Sequence, residues 1–278
     1  MIKYMHVTLE DRLEALLSWF KDKKSALVAL SGGVDSALVA YAAYSTLKDR
    51  ALAVTAYYSS LSRYELEIAE SVSREIGIRH MVITYDQLSD ERFINNDPMR
   101  CFHCRDMLAR HLRGIAMQEG IEVIVDGTNA DDTREYRPGL KAMHTHGIMS
   151  PLLQLGIGKD EVRALARHVG LSVHDKPSES CLASRVAYGI SISRERLEMV
   201  ESAEYAVKSI FNVRQVRVRL HEHDKYIIAR IEVGRDERKL LFDEEKLDRL
   251  DYILKSIGFT HVSIDAKGYK SGSLNVIQ

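Results

Sequence analysis

The chain has 278 residues, of which 39 are lysine or arginine and 40 are aspartate or glutamate. This near balance argues against a generally basic surface, so we expect no nucleic-acid partner. No apolar run approaches the roughly 20 residues that a membrane-spanning helix needs, and the first eight residues lack a secretion-signal pattern. We therefore expect a cytoplasmic protein with no membrane partner.

Short apolar segments alternate with helix-like segments along the first half of the chain. After a capped helix that begins at Thr8, the sequence predicts strands at 25–30, 51–58, 79–85 and 122–126, and helices at 35–47, 62–76 and 103–118. Each strand is apolar along its length, which indicates an α/β fold: a parallel sheet with helices on both faces. In such folds ligands bind at the carboxyl ends of the strands.

The pattern changes near residue 191. From there the sequence predicts a helix at 193–211, strands at 213–220 and 226–233, a helix at 237–257 and a strand at 261–265. This order indicates a small α+β domain. We expect a first domain over residues 1–188 and a second over 189–278, the second serving substrate binding and assembly into a homo-oligomer.

A serine- and glycine-rich turn, SGGVDS, joins the first predicted strand to the next helix. Gly32 and Gly33 allow the backbone to turn sharply and to approach an anion without a Cβ atom in the way. The helix start offers unpaired N–H groups, and the hydroxyls of Ser31 and Ser36 add donors. Asp35 would repel bare phosphate, so its presence predicts a Mg²⁺ ion between carboxylate and phosphates. An ordinary glycine turn is the alternative.

The turn is not the P-loop of kinases and GTPases, which requires Gly-x-x-x-x-Gly-Lys-Ser/Thr. The only Gly-Lys pair, Gly158-Lys159, is followed by Asp160. The turn instead resembles that of the PP-loop ATP pyrophosphatase superfamily, which includes NAD and GMP synthetases and tRNA-thiolating enzymes. The resemblance implies an adenine nucleotide α-hydrolase-like fold and cleavage of ATP between its α- and β-phosphates.

A second polar segment, DGTNADDTREYRPG at 126–139, follows the last predicted strand of the sheet. Asp126, Gly127 and Thr128 begin it, and we expect them at the nucleotide because both segments fall at carboxyl ends of strands. The paired acids and arginines further along are suited to holding Mg²⁺ and to binding phosphate or carboxylate. A solvated surface loop is the alternative.

Motifs beyond the turn extend nearly to the end of the chain. They are DGTNADDTREYRPG, Ser150-Pro151-Leu152, Lys176-Pro177 with Cys181-Leu182-Ala183-Ser184-Arg185, and GYKSGSLN at 268–275. Together they resemble the LarE family of ATP-dependent sulfur transferases, which help to build the nickel-pincer nucleotide cofactor of lactate racemase. The resemblance implies a pyridinium dicarboxylate mononucleotide as substrate. Its carboxylate is adenylated and then converted to a thiocarboxylate.

The resemblance also implies roles for single residues. The serines, glycines and aspartate of the SGGVDS turn would hold the ATP phosphates, and Cys181 matches the sulfur-handling cysteine. Ser184 and Arg185 are candidates for contact with a substrate phosphate. Arg217 and Arg219 alternate with apolar residues on a predicted strand, so both project from one face, where guanidinium groups suit bidentate phosphate recognition. A solvated strand face is the alternative.

The chain has three cysteines, Cys101, Cys104 and Cys181. An odd, small number without a secretion signal is a poor disulfide framework. In LarE relatives that carry the extra Cys-x-x-Cys pair, the resemblance implies a [4Fe–4S] cluster on all three thiolates, with the fourth iron open to hydrosulfide from a sulfide donor. Relatives with only the third cysteine sacrifice its sulfur. Zinc with His103, a redox pair and inert thiols also stay open.

Other functions use parts of the same pattern. Enzymes of tRNA 2-thiolation share the turn, but they typically add zinc-binding Cys-x-x-Cys pairs and a basic surface. Amide ligation, as in NAD synthetase, would need no cysteines, and a nucleotide-responsive binding protein would hold ATP without cleaving it. The sequence leaves open the roles of Lys159, Asp131, Asp132 and Glu232.

Overall fold

The computed structural model describes residues 8–134 and 138–270. Contacts between these residues group them into two compact units. The first unit holds the described residues of 1–58, 63–85 and 101–178, and the second holds those of 59–62, 86–100 and 179–278. Two short segments from the first half of the chain, 59–62 and 86–100, thus belong to the C-terminal unit. A division of the chain into consecutive ranges counts them with the first domain. The functional boundary at 188 stays a prediction.

The first unit is built on a four-stranded parallel sheet. Its strands are β1 (Ala26–Ala29), β2 (Ala51–Tyr57), β3 (Arg79–Thr84) and β4 (Val123–Val125), in the order β3-β2-β1-β4. Because β1 lies between β2 and β4 and runs parallel to both, the carboxyl ends of β1 and β4 are neighbours. This arrangement confirms the predicted α/β class.

Helices cover both faces of this sheet. They are α1 (Leu9–Lys21), α2 (Val34–Leu47), α3 (Arg63–Ile76), α5 (Arg100–Gln118), α6 (Pro138–Thr145), α7 (Pro151–Gln154) and α8 (Lys159–His168). Successive side chains of β1 point to opposite faces of the sheet and so enter two hydrophobic cores. Val28 belongs to the core formed with α1, α2, α3 and α8, and Leu27 belongs to the core formed with α5 and α6. The strands β1 and β2 are buried along nearly their whole length for this reason, whereas the edge strand β3 is partly exposed.

The second unit has a three-stranded sheet of its own. Its elements are α4 (Glu91–Ile94), α9 (Arg194–Phe211), β5 (Val216–His223), β6 (Tyr226–Val233), α10 (Glu244–Ile257) and β7 (His261–Ile264). The strand order is β5-β6-β7, with β5 antiparallel and β7 parallel to β6. The separate small α+β part of the fold prediction is therefore confirmed.

One predicted helix begins in the wrong place. The sequence pattern places a single helix at 237–257, whereas a short 3₁₀ helix, Arg235–Leu241, precedes α10. The carboxylate of Asp243 accepts a hydrogen bond of 3.1 Å from the N–H of Lys246, so it caps a new helix. A cap of this kind interrupts an otherwise helical periodicity.

Within residues 8–134 and 138–270, no helix combines the length and the apolar composition that crossing a membrane requires.

Candidate functional site: a phosphate loop and a buried arginine cluster

The turn after β1, which we call the phosphate loop (residues 31–36), is held together by Ser36. Its hydroxyl accepts the N–H of Ser31 at 3.1 Å and donates to the carbonyl of Gly33 at 3.1 Å. The side-chain oxygens of Ser31 and Ser36 are also 3.1 Å apart. Ser36 is buried, so it shapes the loop from inside. Ser31, in contrast, is exposed to solvent.

Two glycines give the phosphate loop its shape. Gly32 has φ +74°, and a Cβ atom there would lie 2.9 Å from the carbonyl oxygen of Glu65 on α3. Gly33 is the N-cap of α2 and offers no side-chain cap. The first turn of α2 therefore presents backbone N–H groups and the positive end of its dipole, which together suit an anion.

A carboxylate–lysine pair lies beside this helix start. One oxygen of Asp35 is 2.5 Å from the ammonium of Lys159, and the other accepts a hydrogen bond of 3.0 Å from the side-chain amide of Asn129. Lys159 begins α8, where its N–H donates to the carboxylate of Asp131 at 2.7 Å. The two motifs predicted at the carboxyl ends of β1 and β4 thus lie together.

The first residues after β4 form a tight turn beside the start of α2. The buried carboxylate of Asp126 accepts the N–H of Thr128 at 3.0 Å and the hydroxyl of Ser150 at 2.7 Å. A Cβ atom on Gly127 would lie 2.5 Å from the backbone nitrogen of Ser36. Gly127 therefore packs directly against the start of α2, and contact of Asp126, Gly127 or Thr128 with a nucleotide stays a prediction.

Lys176 contacts the phosphate loop although the sequence analysis gave it no role beyond a motif. Its ammonium donates to the carbonyl of Gly32 at 3.0 Å and to the carboxylate of Glu65 at 2.7 Å. The Lys176 and Glu65 side chains are 10% and 11% exposed. A buried ammonium needs such partners, so Lys176 joins the loop to α3. A lysine in irregular chain gives no periodic signal, and only the contact identifies it.

In the second unit, the backbone around Cys181 fixes the position of its half-buried thiol. Cys181 is the N-cap of a short 3₁₀ helix, Leu182–Arg185, and its carbonyl accepts the N–H of Ser184 at 2.9 Å. The N–H of Leu182 donates to the carbonyl of Ser60 at 2.8 Å. A sulfur-handling role for Cys181 stays a prediction.

Arg185 holds this segment against α9. Its guanidinium makes two bonds, of 2.8 and 3.1 Å, to the carboxylate of Glu204, and it donates to the carbonyl of Cys181 at 3.0 Å. Burial alone would raise the pKa of Glu204, but the Arg185 charge and hydrogen bond outweigh it and lower that pKa. Ser184 also accepts from Arg185, at 3.1 Å. Any substrate phosphate at Arg185 would compete with these partners, and contact of Ser184 or Arg185 with substrate stays a prediction.

Arg217 and Arg219 project from β5 on one face, as predicted, and both are buried. The alternative of a solvated strand face is therefore wrong. Arg219 makes bonds of 3.0 and 2.9 Å to the fully buried Glu232, whereas Arg217 donates to Glu179 at 2.7 Å. The ring of Tyr269 lies 5.0 Å from the Arg217 guanidinium. The GYKSGSLN motif begins at this contact, and its residues 271–275 lie outside the described residues. Phosphate binding by Arg217 and Arg219 stays a prediction.

The three cysteines belong to different units. Cys101 and Cys104 lie three residues apart on α5, and so on one helix face, in the first unit; Cys181 lies in the second. Among the described residues no group of three or more histidine, cysteine or acidic side chains is placed to hold a metal ion. Metal binding by the three thiols stays a prediction.

A parallel sheet with a glycine turn at the start of the helix that follows its first strand has the architecture of the PP-loop class of α/β domains. Residues 25–96 match a family model described as queuosine biosynthesis protein QueC. This range contains the whole phosphate loop.

Longer similarities identify the family. The chain is 38% identical over 267 residues to an uncharacterised protein of Synechocystis sp., covering 96% of this chain and 98% of the relative. It is 34% identical over 271 residues to the pyridinium-3,5-bisthiocarboxylic acid mononucleotide synthase of Lactiplantibacillus plantarum, covering 96% and 95%. An uncharacterised protein of Methanocaldococcus jannaschii is 29% identical over 91% of this chain and 93% of its own. The chain belongs to the family of that synthase, the LarE family.

Proposed function

We propose that this protein is an ATP-dependent sulfurtransferase that forms AMP and pyrophosphate. It converts a carboxylate of a pyridinium dicarboxylate mononucleotide to a thiocarboxylate, a step in making the nickel-pincer nucleotide cofactor. The near full-length similarity to the Lactiplantibacillus synthase, whose name states a pyridinium bisthiocarboxylic acid mononucleotide, is the observation that supports this substrate. The phosphate loop supports the use of ATP.

The first half-reaction joins AMP to the substrate. A substrate carboxylate oxygen attacks the α-phosphorus of ATP, the bond to the bridging oxygen breaks, and pyrophosphate leaves. In this proposal the N–H groups at the uncapped start of α2 and the Ser31 hydroxyl donate to the developing negative charge, and Lys159, which pairs with Asp35, supplies a cation beside it. These groups are in place before the nucleotide arrives, which is how such sites lower a barrier.

The donor set fits a Mg²⁺ ion that enters with ATP. Mg²⁺ takes only one or two protein carboxylates and fills its remaining positions with phosphate oxygens and water. Asp35 accepts one hydrogen bond on each oxygen, from Lys159 and from Asn129, and each oxygen keeps a further lone pair. When bound there, the ion would neutralise charge on the pyrophosphate.

The second half-reaction replaces AMP by sulfur. Sulfide attacks the carbonyl carbon of the acyl-adenylate, the carbon–oxygen bond to AMP breaks, and thiocarboxylate and AMP are released. If Cys181 supplies the sulfur itself, its thiolate makes the same attack and forms a thioester. Loss of the cysteine Cα proton then cleaves the Cβ–S bond, which releases the thiocarboxylate and leaves dehydroalanine.

Cys101, Cys104 and Cys181 are the proposed ligands of a [4Fe–4S] cluster. Thiolates are the ligands that such clusters take, so the residue types fit. The described residues show no gathered metal group, and the arrangement of the thiols therefore does not itself support the cluster. When bound, a three-thiolate cluster would offer an open iron to hydrosulfide.

The adenylation step is tested with labelled ATP, the pyridinium dicarboxylate mononucleotide and sulfide. We expect AMP and pyrophosphate in equal amounts, with thiocarboxylate formed by the wild type. Cys181→Ser should abolish thiocarboxylate formation and still release pyrophosphate in the first half-reaction. Formation of ADP would exclude the proposed reaction.

The cluster is tested by anaerobic purification with an absorption spectrum and iron and sulfide counts. We expect a brown protein with about four irons, the stoichiometry of a cubane cluster. Cys104→Ser should lose the colour. A colourless wild-type protein with one zinc would contradict the cluster, and dehydroalanine at 181 after a single turnover would favour the sacrificial route.

A further inference from the structure

Three cations from different parts of the second unit meet on the carboxylate of Glu179. One of its oxygens accepts from Arg217 at 2.7 Å and from Arg185 at 3.2 Å. The other lies 3.5 Å from the ammonium of Lys208 on α9. Glu179 precedes Cys181 by two residues, so this cluster adjoins the segment that carries the thiol.

Glu179 differs from the other two carboxylates that pair with the buried arginines. Glu204 lies on α9 and accepts the backbone N–H of Val218 at 3.0 Å, so it is part of the packing between α9 and β5. Glu232 lies on β6 and is fully buried between Arg219 and Arg230. Glu179 lies outside any helix or strand, and its side chain is 11% exposed. It can therefore leave its partners without breaking a regular element.

Arg185 does not depend on Glu179. Its guanidinium already makes two bonds to Glu204 and further bonds to Ser180 and Ser184. Removing Glu179 would thus leave the segment around Cys181 attached to α9. The exchangeable part of the cluster is the anion that faces Arg217 and Lys208.

We propose that Glu179 is an internal competitor that occupies an anion site and is displaced when the phosphate monoester of the substrate binds. The proposal rests on the proposed function, which gives the substrate its phosphate. A phosphate monoester carries more charge than a carboxylate and three acceptor oxygens, so it satisfies a fork of guanidinium donors and a lysine better than Glu179 does. The carboxylate keeps the buried cations paired while the site holds no substrate.

The proposal predicts whether replacing Glu179 strengthens or weakens the binding of anions. If Glu179 only stabilised the fold, its loss would leave anion binding unchanged or weaker. If it competes for the site, Glu179→Gln removes the competing charge at nearly constant volume, and anions bind more tightly. The two roles therefore give opposite results in a binding measurement.

Titration calorimetry of the full-length protein with inorganic phosphate tests the proposal, without ATP or sulfide. We expect Glu179→Gln to bind phosphate about fivefold or more tightly than the wild type, the scale of one competing ion pair. Glu222→Gln is the matched control, because Glu222 pairs with Arg196 elsewhere in the same unit. It should bind as the wild type does.

The gain must also depend on Arg217. In an Arg217→Gln background the Glu179→Gln substitution should give no tightening, whereas tightening that persists there would place the phosphate elsewhere and overturn the proposal. Unchanged or weaker binding by Glu179→Gln overturns it as well. Should that variant fail to fold, Glu179→Asp, whose shorter carboxylate reaches Arg217 less well, is judged by the same criterion. Because phosphate binding needs no turnover, failure of the sulfurtransferase reaction is distinguished from failure of this proposal.

Discussion

The ammonium of Lys159 lies 2.5 Å from a carboxylate oxygen of Asp35, which joins the first residue of α8 to the first turn of α2. The two side chains are 30% and 20% exposed, so the pair faces solvent at the end of the sheet. The Asp35 carboxylate balances the charge of the lysine in this pair. The sequence alone left the role of Lys159 open, and the structure places its ammonium beside the start of α2.

Replacing Lys159 with glutamine should slow pyrophosphate release about 100-fold, since one fixed donor to a developing charge has effects of that order. Asp35 would still be held by Asn129, so the fold should persist. Pyrophosphate release under single-turnover conditions measures the effect. Lys255→Gln serves as control, because the side chain of Lys255 pairs with Asp251 on the exposed surface of α10. Equal rates of pyrophosphate release in the two variants would show that Lys159 takes no part in the reaction.

Gly127→Ala should lower the free energy of unfolding by about 2 kcal/mol, the usual cost of overfilling a packed site. The added Cβ would lie 2.5 Å from the nitrogen and 2.8 Å from the Cα of Ser36, and backbone atoms at a helix start cannot move aside alone. Urea unfolding measures the change.

Gly114→Ala is the matched control for that substitution. Gly114 lies inside α5, and a Cβ there would meet nothing within 4 Å. Helix propensity then predicts a gain of up to about 1 kcal/mol. If Gly127→Ala lowers the free energy of unfolding no more than Gly114→Ala does, the fold does not depend on the close approach between the end of β4 and α2.

The four strands of the first sheet and the helices α1, α2, α3 and α5 were predictable because each follows from a local pattern, whereas α6, α7 and α8 were not predicted. The apolar strands, the glycine turn after residue 30 and the motif after β4 indicate a parallel sheet with the two motifs together at one edge, and the structure has that architecture. The start of α10 was missed because Asp243 acts as a cap inside a helical periodicity. A helix cap depends on a single side chain, and the spacing of apolar residues does not reveal it.

The partners of charged side chains were not predictable. Arg185 and Arg217 were singled out as phosphate ligands, yet their carboxylate partners, Glu204 and Glu179, come from separate segments. Lys176 contacts the phosphate loop from more than a hundred residues away in sequence. Such pairs follow from the tertiary fold, and a single sequence contains no local signal for them.

Lys176→Met should weaken ATP binding about tenfold while the protein stays folded. The methionine keeps most of the side-chain volume but removes the bonds to Gly32 and Glu65, so the loop loses its link to α3. A tenfold change corresponds to 1.4 kcal/mol, within the range for a charged hydrogen bond. Equilibrium binding of a non-hydrolysable ATP analogue measures it. Adding Glu65→Gln should cost little more, because the pair is already broken; independent, additive losses would contradict the link.

Glu204→Gln should destabilise the second unit by about 3 kcal/mol at pH 7, because the buried Arg185 loses its bidentate carboxylate partner and keeps only the single 3.2 Å contact with the carboxylate of Glu179. The pKa of Glu204 is lowered in the folded protein from its ordinary value of 4.5. The charged carboxylate therefore contributes its full stabilisation at pH values above 4.5. That contribution is lost as the pH falls through the lowered value. Urea unfolding of the wild type and Glu204→Gln at several pH values from 7 downward measures the difference, which should be constant above 4.5 and narrow below it. A difference that stays constant into the acid range would mean that the charge of Glu204 contributes nothing to the fold.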